Sequence, residues 1–137
     1  MEIPQLDRSN YLKGLLITAR KDEQLNETEI ALIKKLALRL GFSSDFFEET
    51  ISTLLDNKYI TEEPLKFSNS KIARSFIEDG LKLAYADNRV TENEIGWLKA
   101  TARVNNLEET WFNKKIKEVK NKTHLTAKLD FALYSLI

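Results

Sequence analysis

Apolar residues in this chain recur at steps of three and four. Tyr11, Leu12, Leu15, Leu16 and Ala19 do so between about Ser9 and Lys21, which puts them on one face and predicts a first helix with Ser9 as its N-cap. Ile30, Ile33, Leu36, Ala37 and Leu40 make the stripe of a second helix. Asn26 caps it, and Glu29 stands three residues on, where a capping box requires it. Gly41 ends it, because glycine readily takes the left-handed conformation found beyond a helix C-terminus. Ser43 or Ser44 then caps a third helix to about Leu55, with Phe46, Phe47, Thr50, Ile51, Leu54 and Leu55 inward. Asp45, Glu48 and Glu49 fall early in that helix, where its dipole favours negative charge.

Residues 56–69 form a linker. Pro64 makes it irregular, and Tyr59, Ile60, Leu65 and Phe67 make it apolar enough to pack on the domain. The pattern then starts again. A fourth helix is expected from Ser70 to Ala86, with Ile72, Phe76, Ile77, Leu81 and Ala84 inward. Thr91 and Glu94 supply the capping box of a fifth, whose stripe is Ile95, Leu98 and Ala102. Asn105-Asn106 replaces Leu40-Gly41, asparagine being the next-best left-handed residue. A sixth helix, about 108–120, carries Trp111, Phe112 and Ile116 at the positions of Phe46, Phe47 and Ile51. A closing helix over about 126–136 presents Leu129, Leu133 and Leu136 as a lid. The expected fold is all-α, one domain over 1–137 with about seven helices. It comprises two pseudo-symmetric three-helix repeats, about 9–55 and 70–120, plus the closing helix. Repeats of about 50 residues bury too little apolar surface to stand alone, so they are expected to share one core.

Composition narrows the function classes. The 137 residues include 42% apolar and 31% charged residues, ordinary for a soluble domain. Basic and acidic residues balance at 21 each, so no global charge advertises nucleic acid or a membrane surface. There is no cysteine, which removes disulfides, thiolate catalysis and cysteine-based zinc sites. The first residues lack the basic and apolar regions of a signal peptide, and no apolar run reaches the ~20 residues that span a bilayer. A cytoplasmic protein without membrane insertion is expected.

The candidate chemistry lies in a repeated loop. Asp22-Glu23-Gln24-Leu25-Asn26-Glu27-Thr28-Glu29-Ile30 returns 65 positions later as Asp87-Asn88-Arg89-Val90-Thr91-Glu92-Asn93-Glu94-Ile95. The spacing from Asp to aliphatic to Glu matches the back half of an EF-hand loop. The front half fails: Thr18 and Arg20, or Leu83 and Tyr85, stand where oxygen ligands belong, and Glu23 and Asn88 where glycine belongs. Two readings remain. In one, Glu closes a capping box and Asp makes a turn with nearby amides. In the other, Asp22, Glu29, Asp87 and Glu94 form an acidic site for a divalent cation.

The run from Ala86 to Glu94, set between an apolar helix and one containing Leu and Ala, resembles the tellurite-resistance TerB-like family. Members carry Ala-Asp-Gly-x-aliphatic-x-x-x-Glu between helices, often twice. The N-terminal domain of a membrane-anchored DnaJ-like co-chaperone is similar. The likeness covers about residues 9–120. It departs at the family's glycine, here Asn88 or Glu23, and at Arg20-Lys21, where the family has Ala before the Asp. The resemblance implies an all-helical, non-enzymatic module linked to stress response, metal sensing or protein association. Carried over residue by residue, its acidic positions are Asp22, Glu29, Asp87 and Glu94, with Glu27 and Glu92 beside them.

Other features change little. His124, the sole histidine, reads as an exposed loop residue without a catalytic partner. Lys114, Lys115, Lys117, Lys120 and Lys122 read as the solvated face of a helix rather than a nucleic-acid site. Trp111 echoes Phe46 and is expected in the core, whereas Trp97 echoes Leu32 and is the better candidate for a partly exposed anchor. The reading is a binding or interaction module, not an enzyme, with a protein partner or self-association. Its alternative is a scaffold or oligomerisation domain whose acidic loops only cap helices.

Overall fold

The computed structural model describes residues 2–21, 27–56, 63–86, 90–122 and 131–137. Among them are six α-helices, one short 3-10 helix and no strand. The helices are α1 (Gln5–Lys21), α2 (Glu27–Arg39), α3 (Ser44–Asp56), α4 (Ser70–Tyr85), α5 (Glu92–Val104) and α6 (Glu109–Lys122). The 3-10 helix spans Ala132–Ser135. Every boundary of α4, α5 and α6 lies 65 positions, within one residue, beyond its counterpart in α1, α2 and α3.

α1 and α4 are the central pair. Apart from Lys13, the whole of α1 from Tyr11 to Ala19 is buried. They meet through an aromatic cluster. Tyr11 stands edge-on to Phe76 at 5.3 Å, and Phe76 packs on Phe67 at 5.1 Å and edge-on to Trp97 at 6.1 Å. Such offset and edge contacts suit the ring quadrupole. The close approach depends on Gly14, where a Cβ would sit 2.4 Å from Cζ of Phe76. α2 and α3 cover α1, while α5, α6 and the 3-10 helix cover α4.

Both α2 and α5 stop by the same device. Gly41 (φ 99°) and Asn106 (φ 59°) take the left-handed conformation. The amide of Phe42 donates to the carbonyl of Ala37 at 3.0 Å, and that of Leu107 to Ala102 at 3.0 Å. This is the Schellman arrangement, which satisfies carbonyls left without partners at a helix end. At the N-termini, Ser43 accepts from the amide of Phe46 and Asn69 from that of Ile72. Thr91 and Glu94 form the expected capping box.

The structure corrects the pattern reading at both ends of the chain and in α3. α1 begins at Gln5, so Ser9 lies inside it rather than capping it; the amide of Arg8 already donates to the Pro4 carbonyl. Of the expected closing helix, residues 126–130 lie outside the described residues, and at 131–136 Phe131 is extended (φ −71°, ψ 138°) and is followed by the four-residue 3-10 helix instead of an α-helix. Leu133 still closes the core, fully buried beside Phe131, whereas Leu129 lies outside the described residues. Phe46, expected inward, is 46% exposed.

The linker packs as its composition requires. Leu65 and Phe67 are buried, and Tyr59 and Ile60 lie outside the described residues. Asn105 pins this strap by accepting from the Phe67 amide at 2.8 Å and donating to the Leu65 carbonyl at 2.7 Å. Asp7, buried in the first turn of α1, accepts from the Ser68 amide at 3.0 Å and from its hydroxyl.

Candidate functional site

Of the four acidic positions, Asp22 and Asp87 lie outside the described residues. Glu29 and Glu94 are buried at the starts of α2 and α5. A carboxylate of Glu94 accepts from the Thr91 amide at 3.1 Å, and Thr91 Oγ1 accepts from the Glu94 amide at 3.1 Å. Asn26, the expected partner of Glu29, is outside the described residues, as is His124. Among the described residues no three His, Asp or Glu side chains gather as a metal site.

The structure offers a different kind of site: a groove that occurs twice. Between α1 and α3 it encloses about 500 Å³, floored by Leu12 and Leu54 and flanked by Lys13, Phe46, Glu49 and Thr50. Between α4 and α6 a cleft of about 290 Å³ is lined by Arg74, Ser75, Glu78, Trp111 and Lys115. Four pairs of lining residues stand 65 positions apart: Ser9 and Arg74, Lys13 and Glu78, Phe46 and Trp111, Thr50 and Lys115.

The two clefts differ in what crosses them. In the second, Lys115 reaches over the groove. Its ammonium lies 5.8 Å from the centre of the Trp111 ring, 2.9 Å from Glu78 and 3.1 Å from Glu118. Burial pushes the Glu78 carboxyl up, but the hydrogen bond from Lys115 and the charges of Lys82 and Lys115 outweigh it and hold the acid below its usual range. Burial pulls Lys115 down, and its two carboxylate partners more than reverse that. In the first groove, Thr50 takes the place of Lys115 and turns its hydroxyl to the Phe46 carbonyl at 2.8 Å. Phe46 stacks on Phe42 at 5.2 Å and keeps nearly half its surface in solvent.

Under the second half lies a buried polar cluster that the apolar pattern did not reveal. Asp79 of α4 accepts from the Tyr11 hydroxyl, from the Ala132 amide and, at 3.2 Å, from the Leu133 amide. Tyr11 also shares a hydrogen bond of 2.9 Å with Ser75. Burial raises the Asp79 carboxyl to about 7 against the pull of these donors, and burial with the neighbouring Asp79 charge raises Tyr11 well above its ordinary value. The carboxylate caps the start of the 3-10 helix and so fastens the end of the chain to α4. The signal in the sequence was an acid on the Ile72–Phe76–Leu83 face of an otherwise apolar stripe.

The tryptophans exchange their expected roles. Trp97 is buried at 7% exposure against Phe76, and Trp111 is the half-buried one, because Trp111 stands at the groove rim. No protein-family model, curated protein or solved structure matches this chain.

Proposed function

We propose that this chain is a non-enzymatic helical interaction module, organised as two TerB-like three-helix repeats, that binds a protein partner through its α1/α3 face. The observation that carries this reading is the open groove between α1 and α3. It has an apolar floor of Leu12 and Leu54, a half-exposed aromatic wall in Phe46, and Lys13 and Glu49 at its sides. Concave apolar sites with a few polar groups at the edge are where partners dock. An amphipathic helix lays its apolar face into such a groove.

The constant offset of 65 between helix boundaries supports the repeat. So do the straps. Leu65 approaches Gly14 of α1, and the C-terminal segment meets α4 at Asp79, 65 positions on. The capping role of Glu94 favours reading the acidic loops as helix starts.

The test is a titration of the labelled protein with a synthetic amphipathic helix, leucine on one face and lysine along its flank, followed by amide NMR. Shifts confined to Ser9, Lys13, Phe46, Glu49, Thr50 and Thr53 are expected. Saturable shifts centred elsewhere, or none, would overturn the reading. A parallel thermal-unfolding series with calcium, magnesium, manganese and zinc separates the cation alternative: a saturable rise lost in Asp22→Asn/Asp87→Asn would assign the loops to a metal.

A further inference from the structure

α3 and α6 occupy equivalent positions in the two halves, yet their outer faces carry opposite charge. α3 has no basic residue and exposes Asp45 and Glu49 to either side of Phe46, with Glu48 turned away toward Lys34 of α2 at 2.9 Å. α6 exposes Lys114, Lys117 and Lys120 along its outer side, in excess over Glu109, which pairs with Lys99, and Glu118, which pairs with Lys115. At one position, 65 apart, the sign reverses outright: Glu49 becomes Lys114. A solvated helix has no need of a strong excess of one sign, since mixed charges serve solubility at least as well.

We propose that the partner of the α3 face is the α6 face of a second copy of this chain, an inference that rests on the function proposed above. Like faces repel, α3 against α3 and α6 against α6, so a symmetric pairing through either is disfavoured. The complementary contact is head to tail. It uses a different surface on each copy, so a single contact leaves one α3 face and one α6 face to be met by further copies, in an open chain or a closed ring. The lysine stems lie across Phe46 and the α1/α3 groove, while their ammonium groups meet Asp45 and Glu49. The chain's zero formal net charge puts no overall repulsion in the way. A contact of one helix face on another is small, so the association is weak and falls with salt.

The experiment is sedimentation velocity over a concentration series at low and high salt. The wild-type weight-average mass is expected to rise steadily with concentration at low salt and to return to that of the monomer at high salt. Two charge reversals on exposed positions, Asp45→Lys/Glu49→Lys and Lys114→Glu/Lys117→Glu, are each expected to stay monomeric while keeping the wild-type circular dichroism, the first with a slightly lower melting temperature because it removes negative charge from the N-terminus of α3. Mixing them in equal amounts restores association, because the basic face of each copy of one variant again meets an acidic face of the other. A wild type monomeric throughout, variants that assemble like the wild type, or a mixture that stays monomeric would each overturn the inference. If the wild type is monomeric but the synthetic helix still maps to the α1/α3 groove, the proposed function stands and the partner is another protein. If neither binds, both fall.

Discussion

The two halves of this molecule have nearly the same helix lengths and spacing, but they spend equivalent positions differently. In the first half Gly14 leaves room for Phe76 and Leu65 to press against α1. In the second half the equivalent position is Asp79, which uses the space to hold the backbone of the C-terminal segment. The grooves diverge in the same way. Lys115 bridges the α4/α6 cleft to Glu78 beside Trp111, whereas Thr50 leaves the α1/α3 groove open beside Phe46. One half is closed upon itself and the other faces outward. The same helix spacing thus carries one groove bridged by a lysine and one left open.

The sharpest way to break this contrast is Asp79→Ala. It leaves the Ala132 and Leu133 amides without their acceptor and the Tyr11 hydroxyl with Ser75 alone, at a cost of about 3 kcal/mol. Denaturant unfolding should show the loss, and amide exchange should show it concentrated over residues 131–137. Gly14→Ala comes next. Its methyl group meets the Phe76 ring, which is held among Tyr11, Phe67 and Trp97, so overpacking of about 1–3 kcal/mol exceeds the gain in helix propensity.

The Asp79 carboxyl also gives its half a pH dependence. Its folded value of about 7 lies above the ordinary 3.8, so between these limits the native state holds a proton that the unfolded chain has released. The stability it contributes is fully present below about pH 4 and is lost as pH rises through about 7. Melting temperatures of the wild type against Asp79→Asn should therefore converge or cross over that window, with the asparagine variant the flatter of the two. The smallest effect on stability is expected from Lys115→Ala. It removes part-exposed ion pairs worth about 0–1 kcal/mol, yet it should open the second groove and add binding of the synthetic helix there.

Much of the architecture was legible in the chain. The stripe from Ile33 to Leu40, the caps at Ser43 and Thr91, and the left-handed stops at Gly41 and Asn106 are local chemistry, and local chemistry is written in sequence spacing. The groove was not legible, because it depends on which side of α3 turns from the core. Phe46 and Phe47 are adjacent and equally apolar, and only packing against α1 decides that Phe47 is buried and Phe46 exposed. Trp97 and Trp111 mislead for the same reason. Asp79 escaped notice because its partners are backbone amides more than fifty residues away, which no spacing rule connects.

The most direct test of the account is to close the first groove with the residues that close the second. The variant Lys13→Glu/Thr50→Lys places a glutamate and a lysine where Glu78 and Lys115 stand in the α4/α6 cleft. Titrated with the synthetic amphipathic helix and followed by calorimetry, it should lose at least tenfold in affinity, about 1.4 kcal/mol, while unfolding like the wild type. Unchanged affinity in a properly folded variant would contradict the claim that the open α1/α3 groove is where this protein binds its partner.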